Sequence, residues 1–98
     1  MRRDILAGAL LVNALPHTVT GLAGRRGLTP LGGEDSSPGL NLVWAAMNVV
    51  GGAVVLASAP WRGLSDAEEA DRRRSVQLGV AVMASFGVVY ERARARGR

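Results

Sequence analysis

Five side chains carry polar or aromatic groups inside stretches that hold no charge: Asn13, His17, Asn41, Trp44 and Asn48. Asn13 and His17 are four residues apart, so on a helix they share one face, which Thr20, Gly21 and Gly24 continue. Asn41, Trp44, Asn48, Gly51 and Gly52 make a second stripe of the same kind. If the stripes face each other, they form a small polar site able to bind a polar ligand or pass a proton through the His17 imidazole. The simpler alternative is that amide and imidazole groups bond across a helix pair while the glycines let the backbones approach. We prefer the simpler reading. No carboxylate accompanies His17 in its charge-free stretch to complete an acid–base pair. A single His without Cys, Asp or Glu at ligand spacing is not a metal site, and the chain has no cysteine. No catalytic residue, metal or cofactor is assigned, and the chain is not expected to be an enzyme.

The elements that must position these residues follow from where the charges sit. The 98-residue chain is 48% hydrophobic and 20% charged with a net charge of +4, and every basic residue is Arg. Residues 5–24, 40–61 and 75–90 contain no Asp, Glu, Lys or Arg. A soluble domain would keep one charged face along each helix or strand. A helix needs about 20 apolar residues to cross a bilayer core of roughly 30 Å. Spans over 5–24 and 40–59 meet that length. The third, over 75–90, reaches about 24 Å at 1.5 Å per residue and relies on Arg74 and Arg92 to extend toward the headgroups. The expected fold is therefore an all-α membrane protein of three transmembrane helices in one domain, 1–98. A cleaved signal peptide is the lesser reading of the first span, because two further spans follow with no secreted domain between them.

The connections differ in character. Residues 25–39 (RRGLTPLGGEDSSPG) lack apolar periodicity and read as an irregular loop. Pro60 closes the second span, and Trp61 suits the headgroup level. Ser65-Asp66-Ala67-Glu68 is a capping box, so a helix starts there and runs into the third span as a charged N-terminal extension, leaving 60–64 as linker. Glu68 with Arg72, and Glu69 with Arg73, stand at i,i+4 on that extension. The basic tail, 91–98, reads as a topology signal rather than a nucleic-acid contact, since no aromatic residue interleaves its arginines.

Antiparallel succession sets the levels of the first two spans. Counted from the loop, His17 and Asn48 come level and should meet, with Trp44 near Thr20 and Gly21. Pro16 frees the carbonyl of Val12, which a neighbouring Asn could satisfy. In the third span Gln77 and Ser85 are the strongly polar groups, while Gly79, Met83, Phe86, Gly87 and Tyr90 trace one packing stripe. Gly21, Gly24, Gly51, Gly52, Gly79 and Gly87 are the expected close-packing positions.

Orientation is tied. Arg2, Arg3, Arg62, Arg72, Arg73 and Arg74 fall on one side, and Arg25, Arg26, Arg92, Arg94, Arg96 and Arg98 on the other. The positive-inside rule gives no answer. A single orientation set by the first helix is favoured over a first span that re-enters about Pro16 and over insertion in both directions.

The pattern Asn13-x-x-Pro16-His17-x-x-x-Gly21-x-x-Gly24, Thr29-Pro30-x-Gly32, Ser37-x-x-x-Asn41-x-x-Trp44-x-x-x-Asn48 resembles a group of small bacterial integral membrane proteins of unknown function. It covers about 6–55 and leaves the third span aside. The resemblance implies a multi-pass address in the bacterial cytoplasmic (inner) membrane and a helix pair, not a mechanism. All-Arg usage with abundant Ala and Gly points to a GC-rich source. The expected role is a non-enzymatic accessory or scaffolding subunit that meets the lipid bilayer and packs with itself or a larger membrane protein. The alternative is an oligomeric small transporter or channel with its site around His17, Asn13 and Asn48.

Overall fold

The computed structural model describes residues 2–97; Arg98 of the basic tail and the side chain of Arg2 lie outside what it describes. The elements are α1 (Arg2–Leu22), β1 (Gly27–Thr29), β2 (Gly33–Ser36), α2 (Pro38–Ala57) and α3 (Asp66–Arg96), in a body of 49 × 25 × 18 Å. α1 and α2 are each long and apolar enough to cross a membrane. α3 is not, because its charge-free stretch stops at the 16 residues between Arg74 and Glu91. The expectation of three apolar spans therefore holds for two helices only.

α1 runs unbroken through Pro16, so the first segment does not turn back there. It ends in a Schellman motif: Gly24 at φ 69°, with Gly24 N–H donating to Gly21 O and Arg25 N–H to Thr20 O. Residues 25–39 are not an irregular loop. β1 and β2 pair antiparallel, Gly27 opposite Ser36 and Thr29 opposite Gly33, around a turn whose Gly33 takes φ 81°. The hairpin is pinned by polar groups. The Thr29 and Ser36 hydroxyls meet at 2.7 Å, Leu31 N–H donates to Thr29 Oγ1, and the Ser36 hydroxyl donates to Gly33 O. Ser37 then caps α2 by accepting from Leu40 N–H, with Pro38 in the first turn. The Ser65–Glu68 capping box forms in both directions at the start of α3.

α2 lies antiparallel to α1, pairing Asn13 with Asn48 and His17 with Asn41, and α3 runs parallel to α1, meeting it at Asp4–Arg72 and Gly8–Val76, with little contact to α2. The seams use small and polar residues. α1 presents Asp4, Ala7, Ala14 and Gly21; α2 presents Asn41, Ala45, Asn48 and Gly52; α3 presents Arg72, Ser75 and Gly79. Spacings of three, four and seven keep these positions on one side of each helix. At the α1–α3 crossing the backbones touch. A Cβ on Gly79 would run into the carbonyl of Ile5, and one on Gly8 into that of Val76. On the other seam Gly52 admits Leu11, and Gly21 admits Leu42. Gly51 makes ordinary contact with Leu10. Gly24 and Gly87 make no close packing within the chain: nothing lies within 4 Å of a Cβ at either. Gly24 is a helix cap, and Gly87 faces an open groove.

Candidate functional site

The polar residues of α1 and α2 come together, one turn away from the expected pairing. His17 Nδ1 lies 2.9 Å from Asn41 Oδ1, and Asn13 Nδ2 donates to Asn48 Oδ1 at 3.1 Å. His17 and Asn48 do not meet. The cause is where the helices end: α1 stops at Leu22 and α2 starts at Pro38, each two residues before the bounds assumed from charge. Together these displace level positions by four residues, about one helical turn. Trp44 shares the displacement and sits edge-on to His17, with ring centroids 6.4 Å apart and planes at 80°.

Each amide has its orientation dictated by its partners. Asn41 Nδ2 faces three carbonyl oxygens, those of Gly27, Ser36 and Ser37, at 3.1 to 3.3 Å. Its Oδ1 is therefore the acceptor, and His17 carries its proton on Nδ1. Asn48 Nδ2 donates to Trp44 O at 2.7 Å, which turns Oδ1 toward Asn13. The amide donors thus go to Gly27, Ser36, Ser37, Trp44 and Asn48 rather than to the Val12 carbonyl freed by Pro16. Asn41 and Asn48 are each 1% exposed, and no buried side-chain polar atom among the described residues lacks a partner. With Nδ1 committed, His17 has Nε2 left as an acceptor on the wall of a groove.

That groove, about 1160 Å³, separates α1 and the hairpin from the C-terminal half of α3. The stripe assigned to packing on α3 divides here. Gly79 is buried against α1, while Met83, Phe86, Gly87 and Tyr90 line the groove, and Phe86 is 64% exposed. Gln77 and Ser85 are exposed.

A second polar centre at the opposite end was missed by sequence reasoning. Arg72, expected to pair with Glu68, instead binds Asp4, Nε to Oδ2 and Nη2 to Oδ1, both at 2.9 Å. Nη1 donates to Ala59 O and Pro60 O, and Nη2 also to Leu56 O, so all five guanidinium N–H groups have acceptors. The Trp61 ring lies under the guanidinium at 4.0 Å and donates its own N–H to Leu56 O. Asp4 is 0% and Arg72 4% exposed. This one side chain joins the start of α1, the end of α2 and the linker to α3. Glu68 is occupied by Ser65, whose backbone N–H and hydroxyl hold its carboxyl below the usual range. The expected Glu69–Arg73 pair does form on the exposed face. Asp4 could have been noticed as the only acid before Glu34, placed at a helix start where negative charge is favoured.

Among the described residues no cluster of His, Asp or Glu gathers at metal-binding distance. Comparison with protein families, curated proteins and solved structures gives no significant match.

Proposed function

We propose that the chain is a three-span membrane protein that acts by binding, as an accessory or scaffolding subunit packing with its own copies or a larger membrane protein. The observation that carries this reading is the inverted distribution of side chains. Among the described residues the buried apolar ones are three alanines, Ala7, Ala14 and Ala45, whereas the largest fully buried side chains are Asn41, Asn48, Thr29, Asp4 and Ser36. Leu15, Val19, Val50, Val54, Val82 and Val89 are all 59% to 66% exposed. Only 22% of each apolar window is buried, which is too little for a soluble core helix. Such a molecule in water would expose a continuous apolar belt; in lipid the same belt is solvated and the polar groups bond internally.

Parallel packing of α3 on α1 at Val76, Gly79 and Val80 supports a third crossing, with Arg74 and Arg92 to complete its length. The hydrogen-bonded seam serves as a helix lock: its amides are committed to protein partners. The one observation favouring a transporter or channel is His17 Nε2 on the groove wall, and by itself it supplies an acceptor, not a path. Since the chain has no cysteine, single cysteines test the arrangement cleanly. In sealed vesicles, Glu34→Cys and Ala95→Cys should be labelled by an impermeant maleimide from one side and Arg62→Cys from the other. Labelling of Ala95→Cys together with Arg62→Cys would refute the third crossing, and extraction of the protein by alkaline carbonate would refute membrane insertion altogether.

A further inference from the structure

We infer that the groove between α1, the hairpin and α3 holds one anionic phospholipid, its phosphate at an arginine mouth and an acyl chain along the floor. This rests on the membrane reading above. Because α1 and α3 run parallel, their C-terminal ends and the hairpin lie at the same end of the molecule. Among the described residues, Arg25 and Arg26 from the start of the hairpin and Arg92 and Arg94 from the end of α3 line the groove there, against one acid, Glu91. Deeper in, the lining is mostly apolar, with Val12, Pro16 and Val19 on one wall and Met83 and Phe86 on the other, while Asn13 and His17 beside them are already bonded across the α1–α2 seam. Tyr90 stands between the two zones, where an aromatic hydroxyl meets headgroups.

Charge and size both select this occupant. Four guanidinium groups against one carboxylate suit a phosphate diester, which Arg can grip with two parallel hydrogen bonds. A second copy in the same orientation would bring its own four arginines to the same level and be repelled. At about 1160 Å³ the groove exceeds the range of about 300–1,000 Å³ typical of small-molecule pockets, as an amphiphile with a long chain requires. Trp44 also lines the groove, while the chain's other tryptophan, Trp61, sits under Arg72 at the opposite end.

That separation provides the probe. Trp61→Phe keeps a ring beneath Arg72 and leaves Trp44 as the sole tryptophan. In phosphatidylcholine vesicles, phosphatidylglycerol with brominated chains should quench Trp44 at several-fold lower mole fraction than phosphatidylcholine with the same chains. Arg25→Gln/Arg26→Gln and Arg92→Gln/Arg94→Gln should each reduce that preference, by about fivefold per arginine until it is lost, the factor matching about 1 kcal/mol per basic residue at a membrane surface. Equal quenching by the two lipids, or a preference untouched by the Gln variants, overturns the inference. So does quenching that weakens as protein is added at constant lipid composition, which would mean a second copy fills the groove. Vesicle flotation separates the two failures: a chain that does not float refutes the membrane reading, and one that floats without lipid preference refutes only the lipid site. Native mass spectrometry of the unmutated chain in detergent makes the same comparison, with phosphatidylglycerol retained and phosphatidylcholine lost as the expected result.

Discussion

Arg72→Gln tests the most concentrated set of interactions in the molecule. The guanidinium gives two hydrogen bonds to Asp4, two to the carbonyls of Ala59 and Pro60 and one to that of Leu56, with Trp61 against its face. Removing it strands a carboxylate of 0% exposure, and breaking a buried pair from one side costs about 3–5 kcal/mol. Set against a total stability of about 5–15 kcal/mol, that is a large fraction. Asp4→Asn should cost less, about 1.5–3 kcal/mol, the worth of hydrogen bonds to a charged group, because Arg72 keeps its three carbonyls and the Trp61 face. Arg72→Lys should fall close to Arg72→Gln, since an ammonium cannot make the two-pronged contact and reach the end of α2 as well. The double variant Asp4→Asn/Arg72→Gln should be less destabilised than the two singles added together, as each single leaves the other partner uncompensated. Reversible unfolding in mixed micelles, followed by far-ultraviolet circular dichroism, measures all four. The reasoning fails if both single variants stay within about 0.5 kcal/mol of the parent, the range of ordinary surface changes, or if their costs simply add.

Three other outcomes follow from the geometry. Gly79→Ala should lower stability by about 1–3 kcal/mol by forcing α1 and α3 apart, whereas Gly87→Ala, which meets nothing, should be neutral or gain up to about 1 kcal/mol, both read from the same unfolding curves. Asn41→Ala removes the amide that ties His17 to the carbonyls of Gly27, Ser36 and Ser37. It should cost about 1–3 kcal/mol and speed hydrogen exchange across the hairpin, while Asn48→Ala leaves hairpin exchange unchanged. Glu68 has its carboxyl lowered in the folded state by Ser65, so its contribution is complete above its ordinary value of 4.5 and is lost as pH falls through the lowered one. The protection factor of the Ser65 amide, its exchange rate referred to the intrinsic rate at each pH, should fall over that acidic window in the parent and stay constant there in Glu68→Gln.

The helices were legible because apolar runs and caps are local signals. α1 and α2 end within two residues of the expected spans, 5–24 and 40–59, and Ser65 with Glu68 announced the start of α3. The hairpin was not legible. Gly27–Thr29 and Gly33–Ser36 have no apolar alternation, and they are held by hydroxyl and amide bonds from Thr29, Ser36 and Asn41 at spacings of seven and fourteen that follow no strand period. The face shared by Asn13 and His17, and that shared by Asn41, Trp44 and Asn48, could be read from spacing alone. Their partners could not, because an error of two residues at each helix end moves every cross-helix pair by a turn. Asp4 and Arg72 are 68 positions apart; the i,i+4 spacing offers Arg72 a nearer partner in Glu68, and no local pattern gives Asp4 one. Nothing local distinguishes a guanidinium that faces headgroups from one that holds three elements together.

The reach of that ion pair has a consequence for the order in which the molecule is made. At about 5–20 residues per second, Arg72 is synthesised roughly 3–14 s after Asp4. The residues of the Asn13–Asn48 and His17–Asn41 pairs are all made by position 48, roughly 1–5 s before Arg72, so α1 and α2 can begin to zip first. Asp4 waits, a carboxylate without its counter-charge, while the carbonyls at the end of α2 wait beside it. α3 thus arrives as a latch on a pair that is already half-built, and its register is read out at a single point, where one arginine finds an acid and three oxygens left open for it.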